Sequence, residues 1–206
     1  MNDLRSQDVD ELARRFFSGE SPVNEATHDY PRGELCRYML EKIDEIEAVV
    51  GTLSPEQLAY RPPGAPSGPD ASGDEAHFNI SEIVTHLASG IAFHWWGITR
   101  ALKHERPQFP SAPEGAKVTG TKGTVMGGGG WSGVGGPELI RSLREITAKF
   151  ISYVQSLPED QDLSATSSMG PFRNLTPHSW LFLDAVHFGM HLNQIRTIKA
   201  MPDFPK

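Results

Sequence analysis

Apolar residues recur with the period of an α-helix in four long segments of the chain. Between about Gly33 and Gly51, Leu35, Met39, Ile43, Ile46 and Val50 are spaced by steps of four, four, three and four, which draws one face of a helix. Pro31 and Gly51 stand in the usual start and stop order. Leu53 to Leu58 reads as a short turn of helix, and Arg61 to Gly73, rich in Pro, Gly and Ser, as a loop. A second helix begins after Asn79, where Asn79 and Glu82 have capping-box spacing and Phe78 and Ile83 can form a hydrophobic staple. Its seam is Ile80, Val84, Leu87, Ile91, Trp95, Ile98 and Leu102, and it must stop before Pro107. A third starts at Pro137 with Gly136 as its cap and carries Leu139, Leu143, Ile146, Phe150, Val154 and Leu157 up to Pro158. The fourth, from Thr176 as cap and Pro177 as first residue to about Ala200, is apolar on nearly every side (Leu181, Phe182, Leu183, Val186, Phe188, Met190, Leu192, Ile195). Such a helix is buried by its own bundle or by a second subunit. Val9 to Phe17 reads as an extra short helix, and no strand pattern competes anywhere.

The stretch from about Arg106 to Gly136 has no periodicity and holds Gly127-Gly128-Gly129-Gly130. A connection this long fits a crossover along the length of a bundle. The predicted fold class is therefore all-α: a four-helix bundle with a long crossover between helices 2 and 3, over residues 31–206, preceded by an N-terminal extension over residues 1–30.

Composition narrows the function. In 206 residues, 38% hydrophobic content is enough for one sizeable core. A formal charge of −7 opposes binding to nucleic acid and to anionic membrane surfaces. No run of apolar residues is long enough to span a bilayer, the N-terminus lacks a signal-peptide core, and the single cysteine, Cys36, suits a reducing compartment. The expected location is the cytoplasm. Gly128 to Gly133 matches GxGxxG only because glycines run together, with no preceding strand pattern. Cys36 lies on an apolar helix and reads as buried rather than nucleophilic. Trp131 reads as an anchor of the crossover on the bundle.

Histidine carries the candidate chemistry. His187 and His191 are four apart on the apolar fourth helix, so their rings leave the same face one turn apart and can reach one ion. Asp184, one turn earlier, can accept from a ring N–H and fix its orientation, and Gln194 follows one turn later on the same line. Polar groups left unpartnered on such a stripe would each cost about 1–3 kcal/mol. His86, in the middle of the second helix, is available as a third ligand, and Gly90 and Gly97 on its flank suggest room for a ligand. The prediction is a three-histidine metal site with an open coordination position. His94 is the rival third ligand, but it is two turns from His86, too far to share the ion readily, and reads as a polar residue near the bundle end; His28, His77, His104 and His178 read as surface. The segment His187-Phe188-Gly189-Met190-His191 lacks the glutamate of HExxH metalloproteases.

Three stretches, Leu53-Ser54-Pro55-Glu56-Gln57-Leu58-Ala59-Tyr60-Arg61-Pro62, Phe78 to Leu87, and Asp184 to Ile195, resemble in order the DinB-like superfamily. The resemblance spans about 31–200. It implies a four-helix bundle with the long crossover, and a divalent ion (zinc, nickel, manganese or iron) on His86, His187 and His191. It also implies a homodimer and chemistry on a small-molecule substrate. Some members use low-molecular-weight thiols, among them mycothiol-dependent maleylpyruvate isomerase and bacillithiol transferases. The glycine-rich crossover and the N-terminal extension depart from a plain member. Three functions stay open on sequence: a metal-dependent enzyme of thiol transferase or hydrolase type, a non-enzymatic metal-binding stress protein, and a helical dimer with core histidines.

Overall fold

The four periodic segments are the four long helices of the computed structural model, which describes residues 4–17, 23–63, 78–108, 111–119, 130–159 and 161–206. In chain order the elements are α1 (Val9–Phe17), α2 (Val23–Ala26), α3 (Arg32–Val50), α4 (Pro55–Ala59), α5 (Ile80–Leu102), β1 (Lys117–Thr119), β2 (Gly130–Ser132), α6 (Gly136–Ser156), β3 (Ser167–Met169), β4 (Phe172–Leu175) and α7 (Pro177–Lys199). Helix α5 packs on α7 and α6, and α3 packs on the same two, so the long helices close a ring around one core. Met39, Ile46, Leu87, Ile91, Leu139, Leu143, Phe150, Phe188 and Ile195 line it, all fully or almost fully buried.

Local chemistry sets the helix starts. The Asn79 side chain accepts the Glu82 N–H at 2.8 Å and the Glu82 carboxylate accepts the Asn79 N–H at 2.9 Å, which satisfies two donors that the first turn of α5 would leave unpaired. Glu82 also receives the Arg61 guanidinium at 2.5 Å, which ties the loop after α4 to the start of α5. Thr176 caps α7 through the Ser179 N–H at 3.2 Å. At α6 the cap is Gly135, not Gly136 as the spacing suggested. Gly136 is the first helical residue, its N–H donates to the Leu53 carbonyl at 3.2 Å, and a Cβ there would overlap the Val50 carbonyl. Only glycine lets α6 begin this close to the end of α3.

Two short antiparallel ladders correct the expectation of no strands. β1 pairs with β2, Val118 opposite Trp131, and β3 pairs with β4 across a turn at Gly170 (φ 56°). Each strand has only three or four residues, too few for a period of two to show. The β1–β2 ladder sits inside the connection between α5 and α6. Trp131 is buried, its N–H donates to the Thr85 hydroxyl at 3.0 Å and its carbonyl accepts from the Ser81 hydroxyl at 2.7 Å, so the crossover is pinned to the first turns of α5. Gly127 to Gly129, and most of the loop predicted over Arg61 to Gly73, lie outside the described residues.

Helix α7 is buried around most of its circumference within this one chain. α3 and α5 cover two sides, and α1 lies along a third, with Phe16 against Phe182 at 5.4 Å between ring centroids. Val9 of α1 and Tyr38 of α3 both press on Gly189. Among the described residues no helix is long and apolar enough to cross a membrane.

Candidate metal centre

Successive contacts climb α5 as they descend α7, so the two helices are antiparallel. His86 meets His191 at 5.0 Å between ring centroids, Gly90 meets the His187 ring, His94 meets Asp184, and Gly97 meets Trp180. One polar stripe on α5 (His86, His94) therefore faces one polar stripe on α7 (Asp184, His187, His191), within a core that is mostly apolar.

At one end of this seam the three histidines converge. Nε2 of His187 lies 2.8 Å from Nε2 of His86 and 2.9 Å from Nε2 of His191. All three residues are buried, and one ligand nitrogen from each lies within 4.8 Å of the others. The tautomer of His191 is set from outside the cluster: its Nδ1–H donates to the Gln194 side-chain oxygen at 2.8 Å, which leaves Nε2 with a lone pair directed at the other two rings. Three imidazole nitrogens meeting at one point, away from water, are a donor set that fits a dication.

Burial pushes the imidazole of His191 down from the ordinary 6.5 to about 4. It pushes those of His86 and His187 well below 6.5, with the neighbouring imidazoles adding to the effect. The neutral ring, which is the form that ligates, is therefore the resting form at pH 7. Stability follows with a definite sign. Between 6.5 and the folded-state values the unfolded chain binds more protons, so the contribution is complete above 6.5 and is lost as pH falls toward 4. Asp184 opposes this, because burial raises its pKa above the ordinary 3.8 against the pull of His94, and its share declines as pH rises from there. Thermal melts in chelator should show the metal-free protein losing stability as pH is lowered from about 6.5 to about 4. A flat melting temperature across that window would contradict a neutral buried cluster.

Other sequence readings change here. Gly90 and Gly97 do not leave room for a ligand. A Cβ at Gly90 would sit 2.9 Å from Cε1 and 3.1 Å from Nδ1 of His187, and one at Gly97 would overlap the Trp180 indole, so each glycine admits a ring from α7. His94 is not a bundle-end residue: it is 5% exposed and its Nδ1 lies 2.8 Å from Asp184 Oδ1. Asp184, read as support for the metal ligands, thus has His94 as its hydrogen-bond partner, while its second oxygen and Nδ1 of His187 are buried without one. His178 is half-buried rather than free on the surface, its Nε2 within 2.8 Å of the Tyr30 carbonyl and 3.1 Å of that of Thr27. His104 is exposed and bonds the Tyr153 hydroxyl at 2.8 Å. His77 and the side chain of His28 lie outside the described residues. Cys36 is buried, and burial raises its thiol to about 11, which removes it as a nucleophile at neutral pH.

The sequence reading names His94 but not its pairing with Asp184, although a signal exists: His94 continues the stripe His86, Gly90, His94 at steps of four. Pairing it with Asp184 needs the antiparallel register of α5 on α7, which no local pattern supplies. A groove of about 730 Å³ between α5, α6 and the crossover, lined by Trp95, Gln108, Glu138, Arg141 and Lys149, is not part of this seam.

The family profile of the DinB superfamily matches residues 39–195, a span that contains α5, most of α7 and all three converging histidines. The chain belongs to the DinB superfamily. No curated protein and no solved structure matches it. Membership and geometry agree on one point, a buried histidine group able to hold a divalent ion.

Proposed function

We propose that this DinB-superfamily protein is a cytoplasmic four-helix-bundle metalloprotein that holds one divalent ion (zinc, nickel, manganese or iron) on His86, His187 and His191. In this reading it uses the ion in thiol transfer to a small molecule. The observation that carries the reading is the meeting of three Nε2 atoms from two helices, 2.8 and 2.9 Å apart, in a water-poor core. Gln194 fixes one ligand's tautomer from behind, and Asp184 is the carboxylate available to support another. Bound there, a divalent ion supplies Lewis acidity, which lowers the pKa of a thiol or a water placed against it. The chain's own residues set the remaining conditions. The packed rings of Phe78 and Trp180 flank the polar seam, and burial keeps the imidazoles neutral. Hydrolysis would use the same centre with water in place of the thiol.

A second reading has an observation in its favour. His86 is only 6% and His187 only 9% exposed, which suits a structural or sensory ion with no substrate position. Titrating the cobalt(II)-loaded protein with a low-molecular-weight thiol separates the two. Thiol transfer predicts a new sulfur-to-metal charge-transfer band in the near ultraviolet. A cobalt spectrum unmoved by excess thiol would leave the structural or sensory role.

A further inference from the structure

Beside the three-histidine cluster lies a second polar group that the ligand set does not use. His94, Asp184 and His187 each bring one nitrogen or oxygen to within 4.8 Å of the others, and all three are buried. His187 belongs to both groups. Its Nε2 faces His86 and His191, and its Nδ1 has no hydrogen-bond partner. Asp184 is 0% exposed; Oδ1 is held by His94 at 2.8 Å and Oδ2 has no partner.

Two buried orphan atoms in one small cluster are unusual, since each has given up its hydrogen bonds to water without replacing them. The chemistry of the two is complementary. An imidazole that ligates through Nε2 carries its proton on Nδ1 and must donate it, and a carboxylate oxygen can only accept. Gly90 lets the edge of the His187 ring lie against the α5 backbone, so the ring has little freedom to turn away. His94 is itself held on its faces and edges by Phe93, Phe172 and Trp180, at 5.8, 6.3 and 5.8 Å between ring centroids. The donor that grips Asp184 is therefore fixed by packing.

We propose that His94 is a positioning residue: it holds the Asp184 carboxylate so that the free oxygen receives the Nδ1 proton of His187, directly or through one water, and so fixes the ligating tautomer of His187. The inference rests on the three-histidine reading of the metal centre. It makes α5 contribute twice to the site, once through the ligand His86 and once, two turns on, through a residue that never touches the ion.

The test is cobalt(II) affinity by chelator competition, with the visible spectrum of the bound ion, on wild type, His94→Phe, His94→Asn and Asp184→Asn. Phenylalanine keeps the ring packing and removes the donor; asparagine puts an amide N–H close to where Nδ1 stands. His94→Phe and Asp184→Asn are expected to weaken cobalt about tenfold or more and to shift the d–d bands, while His94→Asn returns affinity to within about threefold of wild type. Long-range proton–nitrogen spectra of the metal-free protein give a readout that needs no ion: His187 should be the Nδ1–H tautomer in wild type and His94→Asn, and mixed in His94→Phe. If His94→Phe fails to fold, the Asp184→Asn affinity and the wild-type tautomer still decide. A wild-type protein that binds cobalt, with His94→Phe unchanged in affinity and spectrum, overturns this role and leaves the three-histidine centre standing. A wild-type protein that binds no cobalt overturns both.

Discussion

Replacing His187 by alanine is expected to abolish divalent-ion binding while the helical fold survives. His187 is the ligand the other two share: its Nε2 is the atom that lies 2.8 Å from His86 and 2.9 Å from His191. Its removal leaves two imidazoles and no third donor in the core. The loss should exceed about a hundredfold in affinity, because losing even a supporting residue behind a ligand costs about 10–100-fold. The fold should persist because the packing of α7 rests on Leu181, Phe182, Phe188, Leu192 and Ile195, all at least 98% buried, rather than on this ring. Isothermal titration with zinc, paired with far-ultraviolet circular dichroism, reads both halves. A variant that binds zinc as wild type does would mean that the histidines are core residues satisfied by one another.

Trp180→Ala should produce the largest loss of stability. Trp180 is the largest of the fully buried side chains, and its indole fills the space that Gly97 leaves on α5. Its N–H donates to the Ser167 hydroxyl at 2.8 Å, and that hydroxyl donates to the Gly97 carbonyl at 2.7 Å, so one side chain joins α7, β3 and α5. Truncation removes the buried indole, leaves a cavity and frees a buried hydroxyl. The expected cost is about 3–5 kcal/mol, read as a shift in the urea midpoint with an unchanged slope. A cost below about 1 kcal/mol would mean that the α5–α7 seam collapses around the gap, contrary to tight packing across the two glycines.

These residues also show what a single chain can and cannot reveal. Helix starts are legible because they are local: Asn79 with Glu82, and Thr176 with Ser179, carry their hydrogen bonds within one turn. The pair His187 and His191 was legible for the same reason, as a step of four on an apolar helix. Gly136 was misread as a cap because its requirement is tertiary, the approach of α6 to the Val50 carbonyl. The strands β1 to β4 are invisible in the sequence because short ladders are fixed by tertiary partners, as Trp131 is by Val118 across the ladder and by Ser81 and Thr85 of α5. The two glycines on α5 looked like space, and their true occupants, His187 and Trp180, sit on a helix about ninety residues away. The pairing of His94 with Asp184 belongs to the same class, since it exists only once α5 and α7 are set antiparallel.

The central claim is one divalent ion on three histidines, and metal content of the untagged protein by elemental mass spectrometry tests it most directly. The account predicts about one divalent ion per chain, retained through gel filtration and lost in His86→Ala, His187→Ala and His191→Ala alike. No metal in the wild-type protein, even after incubation with zinc, nickel, manganese or iron(II), would contradict it.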